Sequence, residues 1–535
     1  MTDRDNGARS DRQQPGQAVP DSTHDSGTRL GRAAAAVALL SLASSCLGLL
    51  RDLSLAGLFG ASGDTDAFLI AWTIPETITP LLMEGAMTFL LVPVFIRELT
   101  KTGSVDRIVR STLLPLLLVL AILTAAAALT APLIVGLLAP GIANPALAIR
   151  LFRMACLTVL FMGLSGYLMA TLRAHQRFIA PASTYLAYNV AILICMYTLH
   201  RQLGVFAAAI GLAVGSAAMV AVQVPQFLQV ASVTRLRLRI TPRLLVATSA
   251  FVPIAAYTLG RQAQVFIERT IGSLLEPGSI SYLNYASKVA QVPMLLAITA
   301  ATVAFPSLAR AAADPPAFRL RAQIELRRVG LLILPSTAFL LIFARPSVEL
   351  LFERGAFSAA DTVATAAVMQ LYSLGLLGQV FVAVTVLVYF SSHRRTWLPA
   401  LAAVGSLAVT LGLDLGLLHL LGVRALALGN AAGITVAAVI LLIALDRRVT
   451  HYDLAGLVRM LLLAGLVSMA AAGVAAVICK ILSNTNAVQV LVGAPLTVAL
   501  CLLFGALVRI PEATALIRTA AAGAVEVIAK GKVFR

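Results

Sequence analysis

Charge is what this 535-residue sequence has least of. Asp, Glu, Lys and Arg together make up 12%, about half of the roughly 25% that a soluble domain carries. A chain so poor in charge cannot cover its surface against water. With 59% hydrophobic residues and a mean hydropathy of +0.91, it belongs in a bilayer, which excludes most soluble enzyme classes. Cysteine is scarce too. Cys46, Cys156, Cys195, Cys479 and Cys501 all fall inside apolar stretches without metal-ligand spacing, and are expected to be packing residues. The six scattered histidines build no metal site, and no Gly-x-x-x-x-Gly-Lys loop offers a nucleotide site. Any work the protein does draws on another energy source. Long hydrophilic loops are missing as well. The Asp-x-Asp of Gly63-Asp64-Thr65-Asp66 therefore reads as helix-start capping by Asp64 or Thr65, not as the metal–sugar-nucleotide site of a glycosyltransferase.

What is present is a series of apolar stretches long enough to cross a bilayer, about 20 residues each. They lie at 33–58, 66–96, 111–138, 147–173, 179–199, 204–229, 244–272, 279–309, 326–351, 358–391, 396–420, 423–445, 456–482 and 487–509. The pattern predicts an all-α integral membrane protein with fourteen transmembrane helices. Stretches longer than a straight span imply tilt, kinks or extension beyond the membrane. The basic residues give a second signal. Lys and Arg number 41 against 24 Asp and Glu, and they gather in alternate connections: Arg97, Lys101, Arg107 and Arg110 after the second span, Arg235 to Arg243 after the sixth. Even-numbered connections hold more than twice the Lys and Arg of odd-numbered ones, which places both termini in the cytosol. Residues 1–32 read as a disordered cytosolic tail in which five Arg and five Asp cancel. The net charge of +17 thus belongs to the membrane part, and speaks for an anionic inner leaflet rather than nucleic acid. Residues 511–535 read as a basic cytosolic tail, either plain or lying on the leaflet as an amphipathic helix. No A-x-A site suggests a cleavable signal.

Two segments, Val92-Pro93-Val94-Phe95-Ile96-Arg97 and Phe305-Pro306-Ser307-Leu308-Ala309-Arg310, stand 213 residues apart at the ends of the second and eighth spans. An even number of spans separates them, so the copies share one orientation, as in transporters built of two parallel lobes around a cavity. The expected organisation is a tail (1–32), an N-lobe of six helices (33–230), a C-lobe of six (244–445), two further helices (456–510) and a tail (511–535). Charges inside spans are costly and mark function. They cluster in the first two spans of each half: Arg51, Asp52, Asp66, Glu76 and Glu84, then Arg261, Glu268, Arg269 and Lys288, with Asp414 farther on. Adjacent residues on a helix do not face each other, so Arg51 and Asp52 are not expected to pair. Glu268-Arg269 reads as cavity lining or a solvated helix end. Pro75, Pro80 and Pro293 are expected to bend or open their helices.

Residues Gly48-Leu-Leu-Arg51-Asp52, Phe59-Gly60-Ala61, Thr65-Asp66-Ala67-Phe68, Ile74-Pro75, Glu84-Gly85-Ala86 and Val92-Pro93-Val94-Phe95 resemble the opening of the MurJ (MviN) family of lipid II flippases. Leu351-Phe352-Glu353-Arg354-Gly355-Ala356-Phe357, with Asp361, Tyr372 and Gly375-Leu376, resembles that family's connection from ninth to tenth span. Pro277-Gly278-Ser279-Ile280-Ser281 through Tyr285-Ala286 resembles its eighth. The resemblance runs from about residue 35 to 510. It implies a member of the multidrug/oligosaccharidyl-lipid/polysaccharide exporter superfamily in the bacterial inner membrane. Such a protein is a transporter, not an enzyme, and moves undecaprenyl-pyrophosphate-linked peptidoglycan precursor outward by alternating access. Its partners would be that lipid-linked glycan and membrane lipids, with no nucleic acid, and a monomer is expected.

The resemblance also implies a substrate site built on Arg51 and Lys288, with Asp52, Asp66, Glu76 and Glu84 positioning those cations or forming gate contacts. The lipid II branch carries further arginines where this chain has Ser45, Thr79-Pro80 and Lys288, so headgroup binding should be weaker or different. The family's Asp-x-x-Thr-Pro after the tenth span is altered to His393-Arg394-Arg395-Thr396-Trp397-Leu398-Pro399. Sodium or the membrane potential is the implied driving force, with Glu268, Asp414 and Asn430 as an oxygen-rich sodium site. Other readings are a Wzx-like exporter of another lipid-linked oligosaccharide, an exporter of a drug or lipopeptide, and a membrane enzyme or scaffold.

Overall fold

The computed structural model describes residues 22–79, 83, 91–234, 262–311, 314–391, 398–448, 452–483 and 485–514, and these contain helices and connections but no strand. Helix is what lipid imposes, because each backbone N–H and C=O must find its partner within the segment. One group of helices comprises α1 (Ser22–Phe59), α2 (Gly63–Thr79), α3 (Val92–Thr102), α4 (Asp106–Leu129), α5 (Ala131–Leu138), α6 (Pro145–Ala174), α7 (Ile179–Leu203) and α8 (Phe206–Leu228). After α9 (262–272) come α10 (Ser279–Ala311), α11 (Pro315–Ile342), α12 (Ala344–Phe352), α13 (Ala359–Ser373), α14 (Leu376–Ser391), α15 (Leu398–Leu421) and α16 (Val423–Arg448). Last are α17 (Leu454–Leu482), α18 (Asn486–Leu491) and α19 (Gly493–Leu507).

The first group packs mainly on itself, around α6, α7 and α8, and α10 to α16 do the same around α10 and α16. α17 and α19 lie on α11. The groups meet through α2 with α10 and through α1 with α10 and α12. Their elements recur in step. A long helix followed by a short one appears as α4–α5 and again as α11–α12, and Ala131 and Ala344, where the short helices begin, are 213 residues apart. Side-chain caps fix the next start in both cases: Asn144 accepts from the Leu147 amide at 3.1 Å, and Ser358 forms a reciprocal capping box with Asp361.

Nine helices among the described residues are long and apolar enough to cross a membrane, or up to eleven if each bent pair counts as one span. This falls short of the fourteen expected. The three expected spans without a counterpart are 66–96, 244–272 and 279–309. The first two run partly outside the described residues, and all three carry the intramembrane charges, which lower apolarity. Two sharp bends lie between helices. α11 and α12 meet at 78° and α13 and α14 at 42°, whereas α2 continues through Pro75 and α10 through Pro293. Pro80 lies outside the described residues. α1 starts at Ser22, so part of the expected N-terminal tail is helical. Residues 1–21 and 515–535 of the two expected tails are outside the described residues. All five cysteines are free thiols.

Candidate functional site

α1 brings Arg51 and Asp52 to the face that meets α7 and α2. Contrary to the expectation for neighbours on a helix, the two pair. The guanidinium curls back so that Nε and Nη2 both donate to Asp52 Oδ1, at 3.1 and 2.9 Å. The reason is confinement. Nη1 donates to Asn189 Oδ1 of α7 at 3.2 Å, and the group lies 4.3 Å from the Trp72 ring centre on α2. The Arg51 side chain keeps 12% exposure and Asp52 only 4%. Held from three sides, the charge is aimed before any ligand arrives.

Across the junction of the two groups, Lys288 of α10 donates to Glu76 of α2 at 3.2 Å. Arg269 and Arg51 lie within electrostatic reach of Glu76, with their hydrogen bonds directed to other partners. Arg269 is buried, donating to Asn284 Oδ1 at 3.1 Å and to the Ile280 carbonyl at 3.4 Å. It is not the solvated helix end that one reading of the sequence allowed. Each cation here has an acidic or amide partner, as burial demands.

Asp66, near the start of α2, adjoins this cluster: Arg269 donates to the Ile280 carbonyl, and the next residue, Ser281, donates to Asp66. The Asp66 carboxylate accepts from the Gly278 amide at 2.7 Å, the Ser281 amide at 2.8 Å and the Ser281 hydroxyl at 2.6 Å. It thus caps the first turn of α10 from another helix. Beside it, Tyr285 donates to the Gly60 carbonyl at 3.2 Å and the Ala356 amide to the Gly57 carbonyl at 2.8 Å. Backbones touch here. Gly60 has a φ of +68°, and a Cβ on it would come 2.6 Å from the Ala356 carbonyl oxygen. Gly278 has a φ of +97°, with a Cβ 2.7 Å from the Ala61 oxygen. Only glycine fits both the conformation and the space. The cap of α2 is neither Asp64 nor Thr65: Ser62 Oγ accepts from the Thr65 amide at 3.3 Å. Asp64 is exposed while Asp66 is buried, so the Asp-x-Asp carboxylates do not converge.

Midway along α1 a cavity of about 410 Å³ is lined by Ser41, Ser44, Ser45, Met83, Arg173 and Asn189, among others. Ser45 therefore lies in a cavity wall, one helical stretch from Arg51. Thr79 does not share that wall: its hydroxyl donates to the Pro75 carbonyl at 2.7 Å and lies 2.8 Å from Met162 Sδ. Glu84 lies outside the described residues, as does Arg261.

In the second group, Asn430 Nδ2 hydrogen-bonds Glu268, and Gln264 donates to the same carboxylate at 3.2 Å. Asp414 of α15 is fully buried, lies within electrostatic reach of Glu268, and has no hydrogen-bond partner on either oxygen among the described residues. Gly429 of α16 leaves the room its carboxylate fills. A buried carboxylate without a hydrogen-bond partner is answered either by a proton or by a cation. Sequence reasoning missed Asn189, Trp72, Asn284 and Arg173. An amide inside an apolar helix and one of only two tryptophans were the available signals, but neither says which helix it will face.

The sequence matches the family described as lipid II flippase MurJ over residues 55–497. The chain is 28% identical over 436 residues to the lipid II flippase MurJ of Burkholderia cenocepacia, covering 78% of this chain and 84% of the relative. It is 32% identical over 398 residues to the probable lipid II flippase MurJ of Rhizobium meliloti, covering 70% and 73%. Among solved structures, it superposes on a lipid II flippase MurJ in an inward closed conformation with a TM-score of 0.74 at 22% identity, over 88% of this chain and 99% of that one. It also superposes on an inward-facing multidrug resistance MATE family transporter of the MOP superfamily with a TM-score of 0.65 at 12% identity, over 78% and 96%.

Proposed function

The chain belongs to the MurJ lipid II flippase family, and from that premise we propose that it is a transporter that carries lipid II from the inner to the outer leaflet by alternating access. The observation that carries the mechanism is the ion pair of Lys288 with Glu76, 3.2 Å across the junction of the two helix groups. A diphosphate in hydrocarbon has a prohibitive desolvation cost. At this junction it would meet cations already oriented, and it would take the place of carboxylates, Asp52 on Arg51 and Glu76 on Lys288. With the site empty, the same carboxylates neutralise the cations, so the protein can return without a bare buried charge.

The distribution of Lys and Arg supports fourteen spans, two six-helix lobes at 33–230 and 244–445 with 456–510 added, and both termini in the cytosol. In that orientation the Asp66–Gly278–Ser281 seal lies on the outer side and the Ser45 cavity on the inner side, an inward-facing arrangement. Asp66 then acts as a gate contact, and Arg51 and Lys288 bind the headgroup. Glu84, Ser45 and Thr79 belong to the same proposal as lining positions. No group of three or more His, Cys, Asp and Glu able to hold a metal is found among the described residues. Sodium asks for less, a few hard oxygens, and Glu268, Asp414 and Asn430 would supply them, Asp414 with both oxygens unspent. A bound cation there would couple transport to a sodium gradient. A second reading, export of another lipid-linked oligosaccharide, is favoured by one observation: the cavity wall carries Ser45, an uncharged acceptor, where the lipid II branch has a cation.

Complementation separates the two. Expression in a strain depleted of its own lipid II flippase is expected to restore growth, and Arg51→Ala to abolish it. An inserted wild-type chain that leaves lipid II on the inner leaflet would reject the first reading.

A further inference from the structure

The end of α9 faces three places at once. Glu268 faces α16, where Asn430 hydrogen-bonds its carboxylate, and Asp414 of α15 lies within its electrostatic reach. Arg269, the next residue, faces α10, donating to Asn284 Oδ1 at 3.1 Å and to the Ile280 carbonyl at 3.4 Å. Ser273 faces the other helix group. Its Oγ accepts from the Gly141 amide at 3.3 Å, and a Cβ on Gly141 would come 2.6 Å from the Ser273 carbonyl oxygen. Backbones of the two groups therefore touch where α9 ends. Neighbours on a helix point about 100° apart on one rigid turn, so a tilt of α9 that moves Glu268 also moves Arg269.

Arg269 is one buried charge among three carboxylates. It is 6% exposed, and Glu76, Glu268 and Asp66 all lie within its electrostatic reach. Glu76 and Asp66 belong to α2, in the other group; Glu268 belongs to its own helix. The three compete for it, because a charge out of water depends on what neutralises it nearby. With Glu268 neutralised by a cation, Arg269 is left to the two carboxylates of α2, and repulsion between like charges pushes it the same way. The path onward is short. Arg269 holds the Ile280 carbonyl in the first turn of α10, and the amide and hydroxyl of the next residue, Ser281, hold Asp66.

We infer that Arg269 is a positioning residue that couples the cation site to the seal: when Glu268 and Asp414 hold a cation, Arg269 draws α2 against the start of α10 and the seal tightens, and when they hold none it relaxes. The inference goes beyond the cation-site reading and rests on it.

The full chain, with its native cysteines replaced and a cysteine at Ser287 of α10, would be compared in sodium and in potassium at equal ionic strength. The thermal midpoint reads cation binding, and labelling from outside by an impermeant maleimide reads the seal. In this parent, sodium is expected to raise the midpoint and to slow labelling about fivefold, the lower end of the usual coupling between two sites. In Arg269→Gln, sodium is expected still to raise the midpoint, because Glu268, Asp414 and Asn430 are intact, while labelling no longer responds. Arg269→Lys keeps the charge without the fork and is expected to recover part of the response. A residue needed for packing alone would shift the midpoint in both salts and leave the sodium response of labelling in place. Asn284→Ala, which removes one anchor of the guanidinium and keeps its charge, is expected to weaken the response, so the test stands even where Arg269→Gln does not fold. A sodium effect on labelling that persists undiminished in Arg269→Gln or, failing that variant, in Asn284→Ala would overturn the coupling and leave the cation site standing. Labelling of the parent that sodium leaves unchanged or speeds up would do the same. A parent midpoint equal in sodium and potassium would overturn the cation site itself, and the coupling with it.

Discussion

Arg51 is bound by Asp52, Asn189 and the Trp72 ring together, and no other basic side chain could satisfy all three. Lysine has no fork and no flat face. Arg51→Lys should therefore keep the charge yet lose the aim, and the rate at which lipid II reaches the outer leaflet of proteoliposomes is expected to fall at least about tenfold, with the protein still folded. The scale follows from one charge-assisted hydrogen bond, about 1.5–3 kcal/mol. An unchanged rate would show that charge alone matters there. Asp414 makes the opposite case, a charge without a partner. Removing it should relieve the empty protein, so Asp414→Asn is expected to raise the thermal midpoint in sodium-free buffer and to abolish the further rise that sodium gives the wild type. A sodium-dependent rise that persists in Asp414→Asn would remove the proposed cation site.

At the scale of elements, the seal depends on one carboxylate finishing the first turn of a helix in the other group. Asp66→Ala would leave two amides and a hydroxyl unanswered, where Asp66→Asn retains an acceptor. With the native cysteines replaced and a cysteine at Ser287 on α10 below the seal, labelling by an impermeant maleimide from outside is expected to rise several-fold in Asp66→Ala and less in Asp66→Asn. Equal labelling in all three would mean the seal does not depend on Asp66. Such elements were legible in the sequence to different degrees. α7 starts at Ile179, α10 at Ser279 and α16 at Val423, each where the apolar stretch was expected to begin, because the length of a hydrophobic run is itself the physical cause of a span. The break between α11 and α12 was legible only in part. It falls at Phe343, inside the single stretch 326–351, three residues before Pro346, which has no N–H for the Ile342 carbonyl and crowds it; what the sequence does not show is that Phe343 then packs against Gly493. The pairings inside the site were hidden for a similar reason. Arg51 with Asn189 is a contact 138 residues apart in sequence, and periodicity says which face a residue takes but not which helix it meets.

On the scale of the whole molecule, the described residues of the two helix groups meet along a line, through α2 with α10, α1 with α10 and α12, and the α5–α6 connection with the end of α9, where the Gly141 amide donates to Ser273 Oγ at 3.3 Å, while each group is densely packed within itself. Packed cores resist deformation more than a line of contacts does, so the cheapest large motion is one group rocking against the other. Glu76–Lys288 lies near the middle of that line and the Asp66 seal at its end, so opening the seal need not break the central pair. The seal contains a place to test whether this motion is obligatory. A Cβ on Gly63 of α2 would lie 3.4 Å from the Pro277 Cβ just before α10, close to the 3.5–4.5 Å that a disulfide requires. In a chain without its native cysteines, Gly63→Cys with Pro277→Cys is expected to oxidise readily and to clamp the two groups together at the seal. If lipid II crosses only when the seal parts, the oxidised double variant should carry none of it in proteoliposomes, the reduced form should carry it at near the parental rate, and either single variant should be indifferent to oxidant. Transport that continues through the oxidised bridge would mean that the headgroup leaves by a route that keeps the seal closed, and rocking about the line of contact would have to be given up as the transport step.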